Sequence, residues 1–394
     1  MPKGTQRWQE EARAALLPRE LLSLFDDAFV RSCQLIEEYV ARLALGAFRA
    51  TGLERALAEP ATVDEVVVRA GLVPAIARVP VAWLARTLAA RAWIESDRAG
   101  GDARYRIARP LPALDPNEIL AEQEAVDARC LPSYRIAALA AECYPAVLRG
   151  EVSGEQALFG AEGIVAWSKY FSNANPLYAT SNAIAAMAAE RALPSGGGAI
   201  LELGGGLGSG AEALLERLAA AGRAADASSY RLTDVSPLFL KRAQRSLATR
   251  FPAQPLEFAA LDIDQPFAAS GVVQGSCALV YAVNVVHVSR DLGATLREIR
   301  TVLADDGQLV LGECVRNFPG KPLYVELPFN LLAAFRDPLL VPDWRPNGGF
   351  LATAEWARAL AANGFADIRI YPDIAAIRDA FPGFVVAAIT ARRA

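Results

Sequence analysis

Between Ala199 and Glu313 short apolar runs alternate with amphipathic stretches, and a glycine-rich turn interrupts the pattern once. This alternation restricts the fold more than any other feature of the chain. It opens with AILELGGGLGSGAEALLERL, continues through YRLTDVSPLFLKRAQ and LEFAALDIDQPF, and closes with ALVYAVNVVHVSRD and GQLVLGE. Strands are predicted over 200–203, 230–235, 256–261, 278–283 and 308–313, with helices over 211–221, 238–250 and 294–303. Strand and helix in alternation make a doubly wound parallel α/β sheet. Ligands bind such a sheet at the carboxyl ends of its strands. The glycine turn, two acidic residues and a lone histidine all fall at those ends.

The length of 394 residues favours two domains. Residues 20–150 read as mainly helical, with LLSLFDDAFVRSCQLIEEYVARLALGAF at helical spacing and TVDEVVVRAG starting on a Thr cap. Helices followed by WIESDRAGGDARYRIA, which alternates around Gly100-Gly101, suggest a winged-helix-like module over 44–108. The helical pattern continues to 192, and PSGGG at 194–198 is the expected linker. This predicts a helical domain over 1–193, serving dimerisation and substrate closure, and a nucleotide-binding domain over 194–394. After an irregular stretch rich in Phe, Pro and Leu come a helix over 354–363 and two runs, ADIRIYP and GFVVAAITARR, expected to pair antiparallel at one edge.

A net charge of −4 leaves no electrostatic footprint for nucleic acid. In the predicted third helix Arg78, Arg86 and Arg91 stand isolated among apolar residues, without amide or aromatic companions to read base edges. Five cysteines without paired spacing read as reduced thiols, neither a disulfide framework nor a zinc site. The polar start MPKGTQRWQEEARAA lacks a signal's apolar core, and no apolar run is long enough to span a bilayer, so a cytoplasmic protein is expected.

Leu201-Glu202-Leu203-Gly204-Gly205-Gly206-Leu207-Gly208 sits between a strand and a helix, where glycine permits a tight turn and close approach of a ligand. The run Gly206-x-Gly208-x-x-Ala211 fits a dinucleotide fingerprint, but Glu202 at the mouth of the turn would repel a pyrophosphate. It suits the amino group and sulfonium of S-adenosylmethionine. Asp234, followed by Val235, ends the second strand, where a carboxylate can accept both ribose hydroxyls. Asp262 and Ile263 follow the third strand and suit an adenine, the acid accepting from its amino group and the isoleucine packing on the ring. The blander reading makes Asp234 a helix cap and Asp262 a turn residue. Asp262-x-Asp264 as a Mg²⁺ site is set aside, because the adenine role and Pro266 account for the pair; no metal is expected.

The stretch from Glu202 to Glu313 resembles a class I S-adenosylmethionine-dependent methyltransferase. TDVSPLFLKRAQ, LDIDQPF and NVVHVSRDLGATLREIRTVLADDGQLVLGE are similar to the C-methylating domains of modular polyketide synthases, whereas the helical front half resembles free-standing small-molecule O-methyltransferases. The resemblance implies a Rossmann-like seven-stranded sheet with a reversed last strand. It implies that Glu202, Gly204 and Gly206 lie at the methionine end of the cofactor, Asp234 and Val235 at the ribose, and Asp262 and Ile263 at the adenine, with Asn284 also lining the site.

His287, the sole histidine, falls just past the fourth strand. Glu313 ends the fifth, and neighbouring strands lie about 5 Å apart, within reach for orienting an imidazole as general base. Both resembled families place a histidine and an acid at these positions. Many O-methyltransferases add a second acid, but Ala354 falls near its position and Glu355 is offset, which favours a dyad. Trp167, Tyr170, Phe171, Tyr178, Phe329, Phe335 and Trp344 are candidates for an apolar acceptor pocket, against core packing for each. Arg336 and Arg345 are expected to be solvated at the surface, with a carboxylate or phosphopantetheine as the functional alternative. The sequence therefore points to a methyltransferase of natural-product tailoring. It leans to oxygen of a polyketide-like hydroxyl, enol or carboxyl; carbon of a β-keto or carrier-bound acyl chain comes second. A cyclase that keeps the cofactor without methyl transfer and a DNA-binding regulator are the readings of other classes, and a homodimer is expected.

Overall fold

The computed structural model describes residues 15–17, 19–97 and 102–394. They form two compact units. One comprises Asp27–Tyr170 with Gly320–Asp337; the other comprises the described residues up to Asp26, Phe171–Pro319 and Pro338–Ala394.

The first unit is mainly helical. Its long helix Asp27–Ala50 buries Phe29, Cys33, Ile36, Val40 and Ala44, the face its spacing predicts. Strand β1 (Ala61–Thr62) leads into helix Val63–Arg69 through a reciprocal cap. There the Glu65 N–H donates to Thr62 Oγ1 and the Thr62 N–H donates to the Glu65 carboxylate. Helix Pro74–Ala90 follows, then β2 (Glu95–Asp97) and β3 (Arg104–Arg106), which pair antiparallel; β1 lies on the other side of β3. The expected Gly100-Gly101 turn lies outside the described residues. Arg78 pairs with Asp64 at 2.6 Å and Arg91 with Glu38, so two of the three arginines weighed for DNA contact already meet acids. Gly320–Asp337 is anchored here by buried Glu326, whose carboxylate accepts the Trp83 indole N–H at 3.1 Å and the Leu323 N–H at 2.8 Å.

The second unit is built on seven strands: β4 (Gly198–Leu203), β5 (Ala227–Asp234), β6 (Leu256–Ala260), β7 (Cys277–Val283), β8 (Leu303–Cys314), β9 (Phe365–Tyr371) and β10 (Val386–Arg393). Their order is β6-β5-β4-β7-β8-β10-β9, and β10 alone opposes its neighbours. This is the α/β sheet with a reversed last strand expected from the sequence. The winding changes direction between β4 and β7, which opens the crevice where ligands bind in such sheets.

The boundary expected at 194 is corrected. Helix Pro176–Ala192 packs on β8 and β10, so it belongs to the sheet unit. A Cβ on Gly312 of β8 would lie 2.6 Å from Ala185 Cβ, a measure of how closely that helix approaches. The linker composition of PSGGG marks only the turn into β4. No single helix among the described residues is long and apolar enough to cross a membrane.

Candidate active site

The site is assembled within the sheet unit from the loops after β4, β5, β6, β7 and β8. Gly204 and Gly206 adopt φ of 59° and 55°, which glycine adopts without strain. They differ in surroundings. A Cβ on Gly204 would fall 2.5 Å from Val285, so the turn rests directly on the segment leading to His287. A Cβ on Gly206 would meet nothing nearer than 4.0 Å, so this part of the loop is open.

Glu202 does not stand at the mouth of the turn as the sequence reading placed it. It is 1% exposed and lies beneath the loop, accepting from the Tyr230 hydroxyl at 3.0 Å and from the Ala211 N–H. Both faces of a parallel strand are covered, so alternation along β4 could not reveal which way this acid points. Burial raises its pKa to about 8, against the lowering effect of its hydrogen bonds. A carboxyl raised in this way is protonated in the fold and ionised in the unfolded chain between about pH 4.5 and 8. Its contribution to stability is fully present below the lower value and is lost as pH rises through the upper one. Glu202→Gln supplies the same acceptor and donor without a charge. Melting profiles should therefore match below pH 5 and diverge toward pH 8, where the variant is the more stable; parallel profiles would refute the assignment.

Asp234, 8% exposed, ends β5 and grips the glycine loop: its Oδ2 accepts the Gly206 N–H at 3.0 Å and its Oδ1 the Ser236 N–H at 2.7 Å. Burial raises its pKa. The cap of the following helix is Ser236, whose Oγ accepts from the Phe239 N–H, so capping does not account for Asp234. Val235 beside it is 66% exposed. Asp262 is exposed in a local turn, where its Oδ1 accepts the Asp264 N–H at 3.0 Å; Ile263 is half-buried. Asp264, set aside as half of a metal pair, instead accepts from Ser289 Oγ at 2.8 Å and the Arg290 N–H at 2.9 Å. Asn284, at φ 54°, turns its Oδ1 to the Cys314 N–H at 2.8 Å and so ties the end of β7 to that of β8.

His287 is 2% exposed in a 3₁₀ turn, Val286–Val288, just past β7. Its Nδ1 lies 2.6 Å from Glu313 Oε2, and its backbone N–H donates to Glu313 Oε1 at 3.3 Å. One fully buried carboxylate thus holds both ring and backbone. Phe350 covers the imidazole with ring centroids 4.0 Å apart. The surface position expected for Arg345 is corrected: it is 1% exposed and donates to the carbonyls of His287 (2.9 Å), Ser289 (2.7 Å) and Arg290 (3.2 Å). Neither Phe350 nor Arg345 carries a local motif that would have announced these contacts. Glu355 accepts the N–H of Ala352 at 2.6 Å at its own helix start.

The aromatic candidates separate between the units. Tyr178, which meets Phe171 edge to face at 5.2 Å and bonds Ser209, and half-buried Trp344 belong to the sheet unit. Trp167, Tyr170, Phe329 and Phe335 belong to the helical unit. Trp167 is wholly buried, gives its N–H to the Leu158 carbonyl at 3.1 Å and stacks on Phe159 and Phe329, so it is core.

The open loop at Gly206, the Asp234 carboxylate and exposed Val235 beside it fit an adenosyl ligand. Sheet order, glycine turn and strand-end acid together define the class I S-adenosylmethionine-dependent methyltransferase fold, whose cofactor is S-adenosylmethionine. Residues 201–309 match the family model described as a methyltransferase domain. The polyketide synthase ThaQ of Burkholderia thailandensis is 33% identical over 175 residues, 44% of this chain and 8% of that protein. The chain thus spans a small fraction of the curated relatives it matches. The CurJ carbon methyltransferase structure superposes with a TM-score of 0.77 at 22% identity, covering 98% of this chain and 99% of that one. The citrinin polyketide synthase CMeT domain gives 0.69 at 21% identity over 100% and 98%. At these identities the structural likenesses establish the fold.

Proposed function

We propose that the chain methylates the α-carbon of a β-keto acyl substrate of polyketide type, carried as a thioester or free, with His287 as general base. The 2.6 Å contact between His287 Nδ1 and Glu313 carries the base assignment. A carboxylate accepting at Nδ1 keeps the proton there and makes Nε2 the basic nitrogen. When bound, S-adenosylmethionine supplies an electrophilic methyl group on a sulfonium. Nε2 takes the α-proton of the acceptor, the electron pair of that C–H bond passes into an enolate, and Glu313 stabilises the imidazolium that results. Asp234 and the glycine loop hold the donor; with both partners aligned, proton removal is the remaining demand on the protein.

The lean to oxygen rested on the helical front half. Carbon methyltransferase structures match this chain across nearly its full length, front half included, so that half no longer favours oxygen. The relatives' description as polyketide synthases supports an acyl chain as acceptor. Donor carrying a carbon-13 methyl group, incubated with β-keto acyl thioesters and with hydroxylated analogues, tests the reading by NMR. A new methyl on carbon is expected. A methyl on oxygen would replace it with the O-methyltransferase reading, and no incorporation into any acceptor would overturn both.

A further inference from the structure

We infer that Arg345 is a positioning residue for His287, locking the turn that presses the imidazole Nδ1–H against Glu313. The inference concerns the base assigned above and rests on that reading for its functional meaning. Arg345 is a buried guanidinium whose hydrogen bonds go to three carbonyls of one short segment, those of His287, Ser289 and Arg290. A planar fork bridging successive carbonyls fixes the backbone in a way that a point charge cannot. Glu313 holds the same turn from the other side through the His287 N–H. The imidazole is thus clamped at its backbone from two directions, while Phe350 closes one ring face.

The strap that carries Arg345 is itself secured. The Leu339 N–H donates to the Arg290 carbonyl at 2.7 Å, Val341 and Arg345 bridge one another, and Arg316 donates to the carbonyls of Phe350 at 2.6 Å and Gly348 at 3.0 Å. Charged groups around the turn are Glu313 from β8, Asp264 from the loop after β6, Arg290 and Asp291 in the turn's own continuation, and Arg316 behind Phe350. Burial lowers the Arg345 pKa to about 10, against the raising effect of the Asp264 and Asp291 charges, which leaves it cationic at neutral pH. A buried cation bonded only to carbonyls is a costly way to close a loop, and apolar packing would do that more cheaply. What the fork adds is orientation.

The sole histidine allows a direct reading. In protein labelled with nitrogen-15 histidine and purified without a histidine tag, proton–nitrogen spectra distinguish the two neutral tautomers and show the low-field Nδ1 proton of a short bond to carboxylate. The wild type should show the Nδ1–H form with that proton. In Arg345→Met the ratio of Nδ1–H to Nε2–H should fall about tenfold, the effect of roughly one lost charge-assisted hydrogen bond, and the low-field proton should move upfield. Arg345→Lys keeps the charge without the fork and should fall between. A folded Met variant with an unchanged spectrum overturns the inference. If the Met variant does not fold, an unchanged spectrum in the Lys variant overturns it. Neither donor nor acceptor enters the measurement, so it stands or falls separately from the methyl-transfer reading.

Discussion

His287→Ala should lower methyl transfer by about 10²–10⁴ while leaving donor affinity nearly intact. The groups we propose for the donor, Asp234 and the Gly206 loop, lie at the ends of β5 and β4, while the imidazole belongs to the turn after β7. Alanine keeps the backbone N–H bond to Glu313 Oε1 but strips the ring partner from Oε2 of a carboxylate with 0% exposure, and a buried acceptor atom left unmatched costs about 1–3 kcal/mol of stability. His287→Gln separates the two effects. Its amide can still donate to Glu313 but accepts no proton at neutral pH, so it should keep the wild-type melting temperature more closely and lose as much turnover. Turnover near wild type in the Gln variant would mean that alignment of donor and acceptor suffices and that His287 is not the base.

Asp234→Ala should produce the opposite division, a donor affinity weakened by about 10–100-fold with turnover at saturating donor largely retained. Two backbone amides lose a carboxylate acceptor, and hydrogen bonds to charged groups are worth about 1.5–3 kcal/mol each. Part of that loss falls on the fold, because Gly206 is held in its left-handed conformation from Asp234. Titration calorimetry with the donor and with its demethylated product checks the prediction. Unchanged affinity would limit Asp234 to supporting the loop.

The periodic features of the chain were legible in advance. The strands from β4 to β10 fall where alternation and turn residues place them, and the meeting of His287 with Glu313 follows from two residues ending neighbouring strands. Residues whose roles depend on direction were not legible. Glu202 lies in a strand covered on both sides, so its period carries no sign of which face it serves. Arg345 looked like a surface charge because arginine seldom ends up buried, and Asp264 was weighed only as half of a metal pair. Their partners, the carbonyls and amides around residue 290, have no side-chain signature. Trp167 had an aromatic's two possible lives, and the packing with Phe159 and Phe329 decided for the core. The unit boundary was missed for a related reason: glycine and proline report a turn, whereas membership of a core is decided by what the preceding helix touches.

The detour of Gly320–Asp337 constrains how this protein can be taken apart or recombined. The chain passes from the sheet unit into the helical one, returns, and visits it again between β8 and β9. Neither unit is a continuous length of polypeptide. A shuffled gene with one crossover near residue 194 would separate helix Pro176–Ala192 from the strands it covers. It would also deliver Glu326 on the wrong fragment, away from Trp83. Exchange of the helical unit between relatives therefore requires two inserts moved together, with joints near 27, 170, 320 and 337.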